Sequence, residues 1–488
     1  MSNKVSLLHK PQLNCEDLSQ AQQEVDLLWQ EVLDLRKEVV ELRKKNESLV
    51  EKNQTNSRNS SKPPSQDPHK RKLIKKKKSN RKQGAQKGHQ GTARKLVASS
   101  KVDRIQNCLP PSQCSCEGSI EIQFDRYTPH QQYELPVVHP EITEYRCFIG
   151  VCRDCEATYQ GSLPPGTPPG MLGPQAMSTV ASLTGDYRIS RRETQRLLEN
   201  YFGLPLSLGT ISNVEKEVSS ALEAPVEEAK AAIKEEDIVH ADETSHKEAG
   251  VKQWMWVAVT SFLSVFIIRP TRATVAAKEL LGEFFRGILV SDRYSSYNWV
   301  DTARRQFCWA HIIRDILRIS QRSGLDQKIG ANLLAHIKWM FRLWYQVRDG
   351  TLSRQAFQRA MKFTQKSIES LLEEGTKSTH KKTRGTCTQI LKQKIALWTF
   401  IYTEGLEPTN NVAERTLRAY VLWRKMSFGS QSERGNRFIE RMMTIRASCR
   451  QQNRNVAHFI KEALCAYYGK GTAPSLLTQL TTQQIKSA

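Results

Sequence analysis

At 488 residues the chain is too long for one ordinary core, and two to four domains are expected. Its 73 Lys and Arg against 50 Asp and Glu, a formal charge of +23, point to an anionic partner, either nucleic acid or an acidic membrane surface. The 39% apolar content and 9 Trp suffice for sizeable cores. No run of roughly 18 apolar residues exists, which excludes a transmembrane helix.

The N-terminal "MSNKVSLLHKPQLNCEDL" has neither the apolar core nor the small-residue cleavage site of a secretory signal, which points to the cytoplasm. In that reducing compartment the 11 Cys read as metal ligands or packing residues rather than disulfides. Residues 17–50 are helical and heptad-spaced. Val25, Val32, Val39 and then Asn46 fall at one seam position, and Leu28, Leu35, Leu42 and Leu49 at the other. β-Branched residues at a with Leu at d favour a parallel two-stranded coil, and a single Asn at a fixes its register. Glu31 and Glu38 at g face Arg36 and Arg43 at e, so a homodimer is expected; the competing reading is an amphipathic helix packed on its own core.

Residues 51–100 read as a disordered basic linker. "NQTNSRNSSKPPSQDPHK" is rich in Pro, Ser and Asn, and Lys70 to Lys95 carries 12 Lys or Arg and no acid. Lys75, Lys76, Lys77, Lys78 and Arg81 would bind DNA phosphates; the plainer reading is a solubility tail. Residues 101–162 form a small cysteine-rich β module. "CRDCEATY" is a C-x-x-C knuckle and "CLPPSQCSCEG" an irregular one. Cys114, Cys116, Cys152 and Cys155 are the candidate Zn²⁺ ligands, with Cys108 able to replace one of the first pair; the alternative is a metal-free module.

Residues 163–235 turn helical. "RISRRETQRLLENYFGLPLSLGTISNVEKEV" reads as a helix-turn-helix, with Leu197, Leu198 and Phe202 facing a core and Ser207 capping the second helix. Arg191, Arg192, Thr210 and Ser212 are its candidate DNA contacts, although plain helical hairpins share the pattern.

From residue 236 the pattern is α/β. "DIVHAD", "KQWMWVAVT" and "SVFIIRP" read as strands, "TVAAKELLGEFF" as a helix, "GILVSD" as a fourth strand and, after another helix, "RRQFCWAH" as a fifth. Trp254, Trp256 and Ala258 share one face of the second strand. The order β-β-β-α-β-α-β is that of an RNase H-like mixed sheet. It sets Asp242 and Asp292 side by side at strand ends, where two carboxylates suit paired divalent cations roughly 3.5–4 Å apart at a phosphodiester. Such cations let a polyanion enter an acidic pocket. Residues from about 325 to 400 read as a helical insertion. A third acid, Glu414, opens a helix just after Asn410 and Asn411, with Arg415 and Arg418 placed to hold DNA phosphates. The domain runs to about residue 430, and 431–488 is a helical C-terminal region. Each acid singly reads equally as a surface carboxylate.

"NSSKPPSQD", "GHQG", "HADET", "VSDRYSSY", "CWAHIIRD", "NNVAERTLR" and "FGSQSERG" together resemble the transposases of the insertion-sequence sixty-six family, along nearly the whole chain. The resemblance implies a DDE triad of Asp242, Asp292 and Glu414. It also implies a zipper, a zinc-binding segment, a helix-turn-helix, a bacterial nucleoid-associated setting and companion proteins encoded by the same element. The cofactor would be two Mg²⁺, with Mn²⁺ able to serve. The expected reaction is cleavage at the element's ends followed by attack of the 3′-OH on target DNA. The position seven after the glutamate, basic in many other DDE enzymes, is Val421; Arg418, Arg424 or Lys425 stand in for it.

Several further residues have two readings. His311 and Asp315 line the site or cap a helix. His240 touches bound water or packs in the core. Tyr294 and Tyr297 contact DNA or pack. Ser430, Ser432 and Gly435 form a small polar loop, read as lying near phosphate. The rival functions are a structure-specific metal-dependent nuclease on the same fold and a DNA-binding regulator with an inactive core.

Overall fold

The N-terminal heptads fold into one long helix, α1 (Ser19–Gln54), in a computed structural model that describes residues 19–56, 59–60, 67 and 96–477. The tether cations Lys75, Lys76, Lys77, Lys78 and Arg81 lie outside the described residues. The α1 seam residues Leu28, Val32, Leu35, Val39, Leu42 and Leu49 are exposed in the single chain. Among the described residues two compact units are present: 19–56, 59–60, 67, 223–455 and 475–477 make one, and 96–222 with 456–474 make the other.

In the second unit the cysteine-rich segment has little regular structure. Its one hairpin pairs β1 (Ile149–Val151) with β2 (Thr158–Gln160). Helices α2 (Pro174–Ala181), α3 (Arg191–Phe202) and α4 (Leu208–Ala221) follow. Ser190 caps α3 by accepting from the Glu193 N–H, Gly203 ends it in the left-handed region, and Ser207 caps α4 by accepting from the Thr210 N–H. These side chains take up donors that the first helical turn leaves unpaired. Leu198, Ile211, Val214 and Val218 are buried, whereas Leu197 and Phe202, expected in the core, are only partly so. Helix α14 (Val456–Tyr467) packs on α2 and α4 rather than extending a separate C-terminal region. The reason is its apolar stripe of Val456, Phe459, Ile460, Ala463 and Leu464, which needs a partner face.

The first unit carries α5 (Glu223–Ile233) and then a five-stranded sheet. Its strands are β3 (Ile238–Glu248), β4 (Val251–Val259), β5 (Ser264–Arg269), β6 (Ile288–Ser291) and β7 (Arg305–Phe307), in spatial order β5-β4-β3-β6-β7. β3, β4 and β5 are antiparallel; β6 and β7 run parallel to β3. Helix α6 (Thr274–Leu281) joins β5 to β6. Gly287 precedes β6 where any Cβ would strike the Glu236 carbonyl, so only glycine fits.

Three expectations change. The α-helix anticipated between the fourth and fifth strands is two 3₁₀ turns, Ser295–Tyr297 and Thr302–Arg304. The fifth strand stops at Phe307, and "CWAH" instead opens α7 (Trp309–Ser320). The linker expected to be disordered from residue 51 is helical to Gln54, and Asn59 is buried. The Asn59 carbonyl accepts from Arg318 Nε and Nη2 at 3.1 and 2.8 Å, and its amide donates to Gln321 at 2.7 Å.

The helical insertion comprises α8 (Gly324–Arg348), α9 (Arg354–Thr376), α10 (Lys381–Lys392) and α11 (Thr399–Tyr402). With α7 and Val290 of β6 these form one core around Trp309, Trp344, Phe357 and Phe400. Helices α12 (Asn411–Ser427) and α13 (Glu433–Gln451) form another against Met255, Val257, Val259, Phe266 and Ile268. Helix α13 also covers the outer edge of β5. The β5 N–H groups of Ser264 and Phe266 donate to Ser448 Oγ and Thr444 Oγ1, each at 3.1 Å, and that of Ile268 donates to Glu440. A bare sheet edge is a template for association, and this one is covered.

Candidate active site

Asp242 stands in the middle of β3, not at its end. The strand runs beyond the "DIVHAD" expected from the sequence: β4 pairs with it as far as Glu248, through a turn with positive φ at both Ala249 and Gly250. The parallel neighbour β6 stops at Ser291, so beside Asp242 the sheet opens. Ladder pairs Ile238–Ile288, Val239–Leu289 and His240–Val290 carry that register on to Asp242 and Asp292, level on adjacent strands. Asp242 lies opposite Val257, whose side chain belongs to the α12–α13 core, so it points to the face that α12 covers.

Glu414, in the first turn of α12, comes to that face because Asn410 pins the helix to β3. Asn410 is 1% exposed; its Nδ2 donates to the Ala241 carbonyl at 2.7 Å, its Oδ1 meets His240 Nδ1 at 3.1 Å, and its backbone N–H donates to Cys308 Sγ at 3.1 Å. Sequence reasoning noted Asn410 only as polar. His240 is thus a packed histidine, and burial drives its imidazole down to about 4.

The acids sense one another. Burial raises the Asp242 carboxyl well above the usual range, and the charges of Glu243, Asp292 and Glu414 raise it further. Among the described residues, neither Asp242 nor Asp292 has an ion-pair partner. Their carboxylates accept only backbone N–H groups, Glu243 N–H on Asp242 and Tyr294 N–H on Asp292, each at 2.9 Å. Glu414 lies 3.7 Å from His311 Nδ1 and 3.9 Å from Arg314 Nη2, too far for hydrogen bonds. Glu414 Oε1 and His311 Nδ1 are both buried without a hydrogen-bond partner. Such a set, rich in negative charge and short of donors, is chemically suited to divalent cations. Cys308 lies close to both, its thiol pushed up to about 11 by burial.

Glu243 points to the opposite face. It is 8% exposed and takes bonds from Arg272 Nε at 2.8 Å and from the Tyr297 hydroxyl at 2.5 Å. Tyr297 is fully buried beside Trp256, so it packs and cannot reach DNA; Tyr294 lies under the Arg272 guanidinium. Asp315 is held by Arg293. Ser430 is buried in a network with His246 and Asn436, and Ser432 is exposed and caps α13 by accepting from the Gly435 N–H.

The candidate DNA contacts divide. Arg192, Arg415 and Arg418 are exposed. Arg191 is committed to Glu215, a buried acid on α4 that needs a counter-charge, and the Thr210 hydroxyl pairs with Ser207 at 2.9 Å. Ser212 is partly buried. Arg424 is spent holding α12 to β3, with bonds to Thr244 at 3.2 Å and to Ser245 Oγ at 2.9 Å. Cys114 and Cys152 begin two similar knuckles, in which Glu117 and Glu156 take left-handed backbone and local N–H groups lower each leading thiol's pKa. The four thiols are not gathered. Among the described residues, one group of three His, Cys, Asp or Glu has all its ligand atoms within 4.8 Å of one another, and it is Cys308, His311 and Glu414.

A family of unknown function, DUF6444, matches residues 9–95. An uncharacterized protein, y4hP, of Sinorhizobium fredii is 23% identical over 378 residues, covering 70% of this chain and 68% of its own length. Among the described residues no helix is long and apolar enough to cross a membrane. The model of the Transposase IS66 family matches residues 169–437, from α2 through both strands that carry the acids and into α13, and the chain belongs to that family.

Proposed function

We propose that the sheet with its flanking helices is an RNase H-like catalytic domain in which Asp242, Asp292 and Glu414 form a DDE triad. The observation that carries this is Asp242, which has no ion-pair partner among the described residues and whose carboxyl is raised by burial and then by the charges of Glu243, Asp292 and Glu414. The β5-β4-β3-β6-β7 order supports it, since it puts Asp242 and Asp292 level at the point where the sheet opens. The triad would hold two Mg²⁺, which when bound stabilise the attacking and leaving oxygens of a phosphodiester. The chain's own residues do the rest. Asn410 fixes Glu414 against β3, Arg415 and Arg418 are exposed on the helix that carries Glu414, and His311 stands next to Glu414.

On this reading the enzyme cuts DNA at the element's ends and joins the 3′-OH to target DNA. The tether and the α3–α4 pair would bind DNA, two copies would pair through α1, and the cysteine knuckles would take Zn²⁺ only after closing on each other. The test is incubation of purified protein with end-sequence DNA and Mg²⁺, resolving nicked and joined products. Nicking without joining to a 3′-OH oligonucleotide favours a structure-specific nuclease. Binding without either product favours an inactive regulator.

A further inference from the structure

Two buried, unpartnered atoms face each other across 3.7 Å: His311 Nδ1 and Glu414 Oε1. That is too long for a hydrogen bond and close to the spacing of two ligands on one metal. With metal–nitrogen and metal–oxygen bonds of about 2.1 Å, tetrahedral or trigonal angles separate the two ligand atoms by roughly 3.4–3.7 Å. The third atom is Cys308 Sγ, within 4.8 Å of both. A shift of about 1 Å in that side chain would bring it to bonding range, given the longer zinc–sulfur bond. Cys308 and His311 form a C-x-x-H step at the start of α7, and Glu414 arrives on α12, so the ligands come from two helix N-termini locked together through Asn410.

We infer that Cys308, His311 and Glu414 form a binding site for a borderline divalent transition cation, of which Zn²⁺ is the type. A sulfur–nitrogen–carboxylate set suits such an ion and disfavours Mg²⁺, which demands oxygen ligands. The inference rests on the proposed role of Glu414 for one consequence only. Glu414 belongs to both sets, so occupancy here withdraws it from the acidic triad, and micromolar Zn²⁺ inhibits Mg²⁺-dependent cleavage.

The test uses the full chain with Cys108, Cys114, Cys116, Cys147, Cys152 and Cys155 changed to Ser; all six are exposed or half-buried and lie outside the core. Co²⁺ is the probe, because its sulfur charge-transfer absorption reports a thiolate ligand. One equivalent should bind with that absorption, and millimolar Mg²⁺ should not displace it. Cys308→Ser should abolish the absorption, and His311→Gln, at a half-buried position, should weaken Co²⁺ binding by about a hundredfold. Absence of the absorption, or its persistence unchanged in both variants, overturns the site. Asp242→Asn separates the two ideas: it should leave the Co²⁺ signal intact while ending DNA cleavage. If cleavage survives Asp242→Asn, the triad fails and the Co²⁺ result still decides the transition-metal site.

Discussion

Asp242 and Glu243 are neighbours on one strand, yet they live in opposite electrostatic worlds. On the α12 face Asp242 meets other acids and, among the described residues, has no ion-pair partner. On the other face Glu243, equally acidic in sequence, is closed off by Arg272 and Tyr297. A pleated strand sends adjacent side chains to opposite sides, so a dipeptide of acids is one polar question asked of two environments. The difference teaches that burial alone does not mark a working acid. What distinguishes Asp242 is a half-buried carboxylate with no counter-charge among the described residues, a cost that marks candidate functional sites.

The largest expected effect tests that distinction directly. Asp242→Asn should lower DNA cleavage by at least about a thousandfold, equivalent to roughly 4 kcal/mol in the barrier. The same change should raise metal-free stability, by about 2–4 °C in melting temperature if it relieves about 1 kcal/mol of repulsion. The sign follows from the raised carboxyl: an acid harder to ionise when folded destabilises the fold above its ordinary pKa. A Glu243→Gln variant as stable as the parent chain would break the comparison from the other side. Glu243→Gln should instead destabilise by about 2–3 kcal/mol in urea unfolding, below the figure for fully buried pairs because Arg272 keeps some solvent contact. Cleavage per folded molecule should hardly change.

Asn410→Ala should fall between these two. It leaves the Ala241 carbonyl without its amide donor and frees the start of α12, at a cost of about 1–3 kcal/mol in stability. Cleavage should drop with kcat more than with KM, since Glu414 loses its placement and the exposed Arg415 and Arg418 do not. The smallest effect is a pH dependence. His246 is buried and bonded to Tyr420, Ser430 and Asn436, and burial holds its imidazole below the ordinary value. The unfolded chain regains that value, so its stabilising share is whole above about pH 6.5 and declines as pH falls. Urea unfolding should show lower stability at pH 5.5 than at pH 7.5, and His246→Gln should reduce that loss.

The sequence made some of this legible and hid the rest. Asp242 and Asp292 stood out because each follows an apolar run, and Glu414 because it opens a helix after two Asn. Periodicity assigns a face and says nothing about what lies on it. The Asn410 bond to Ala241 spans 169 residues and the His246–Asn436 bond 190, so no local window contains either pair. β3 was read short because its second half is polar, and its polarity made sense only once Arg424, Tyr420 and Asn436 were seen to bind it. The capping serine of α4, Ser207, was simpler, since a cap acts within four residues.

The seal along β5 is a meeting of two rulers. The strand presents outward N–H groups every second residue, about 6.7 Å apart, and α13 presents a side chain every fourth residue, about 6 Å apart. Across Ser264, Phe266 and Ile268, against Ser448, Thr444 and Glu440, the two scales drift by only about 1.4 Å, which side chains of different length absorb. The next position in that series is Pro270, which has no N–H to leave bare, so the strand ends where its need for a partner ends. Any change of register by one residue would turn all three partners away together, so the edge is closed as a unit or opened as a unit.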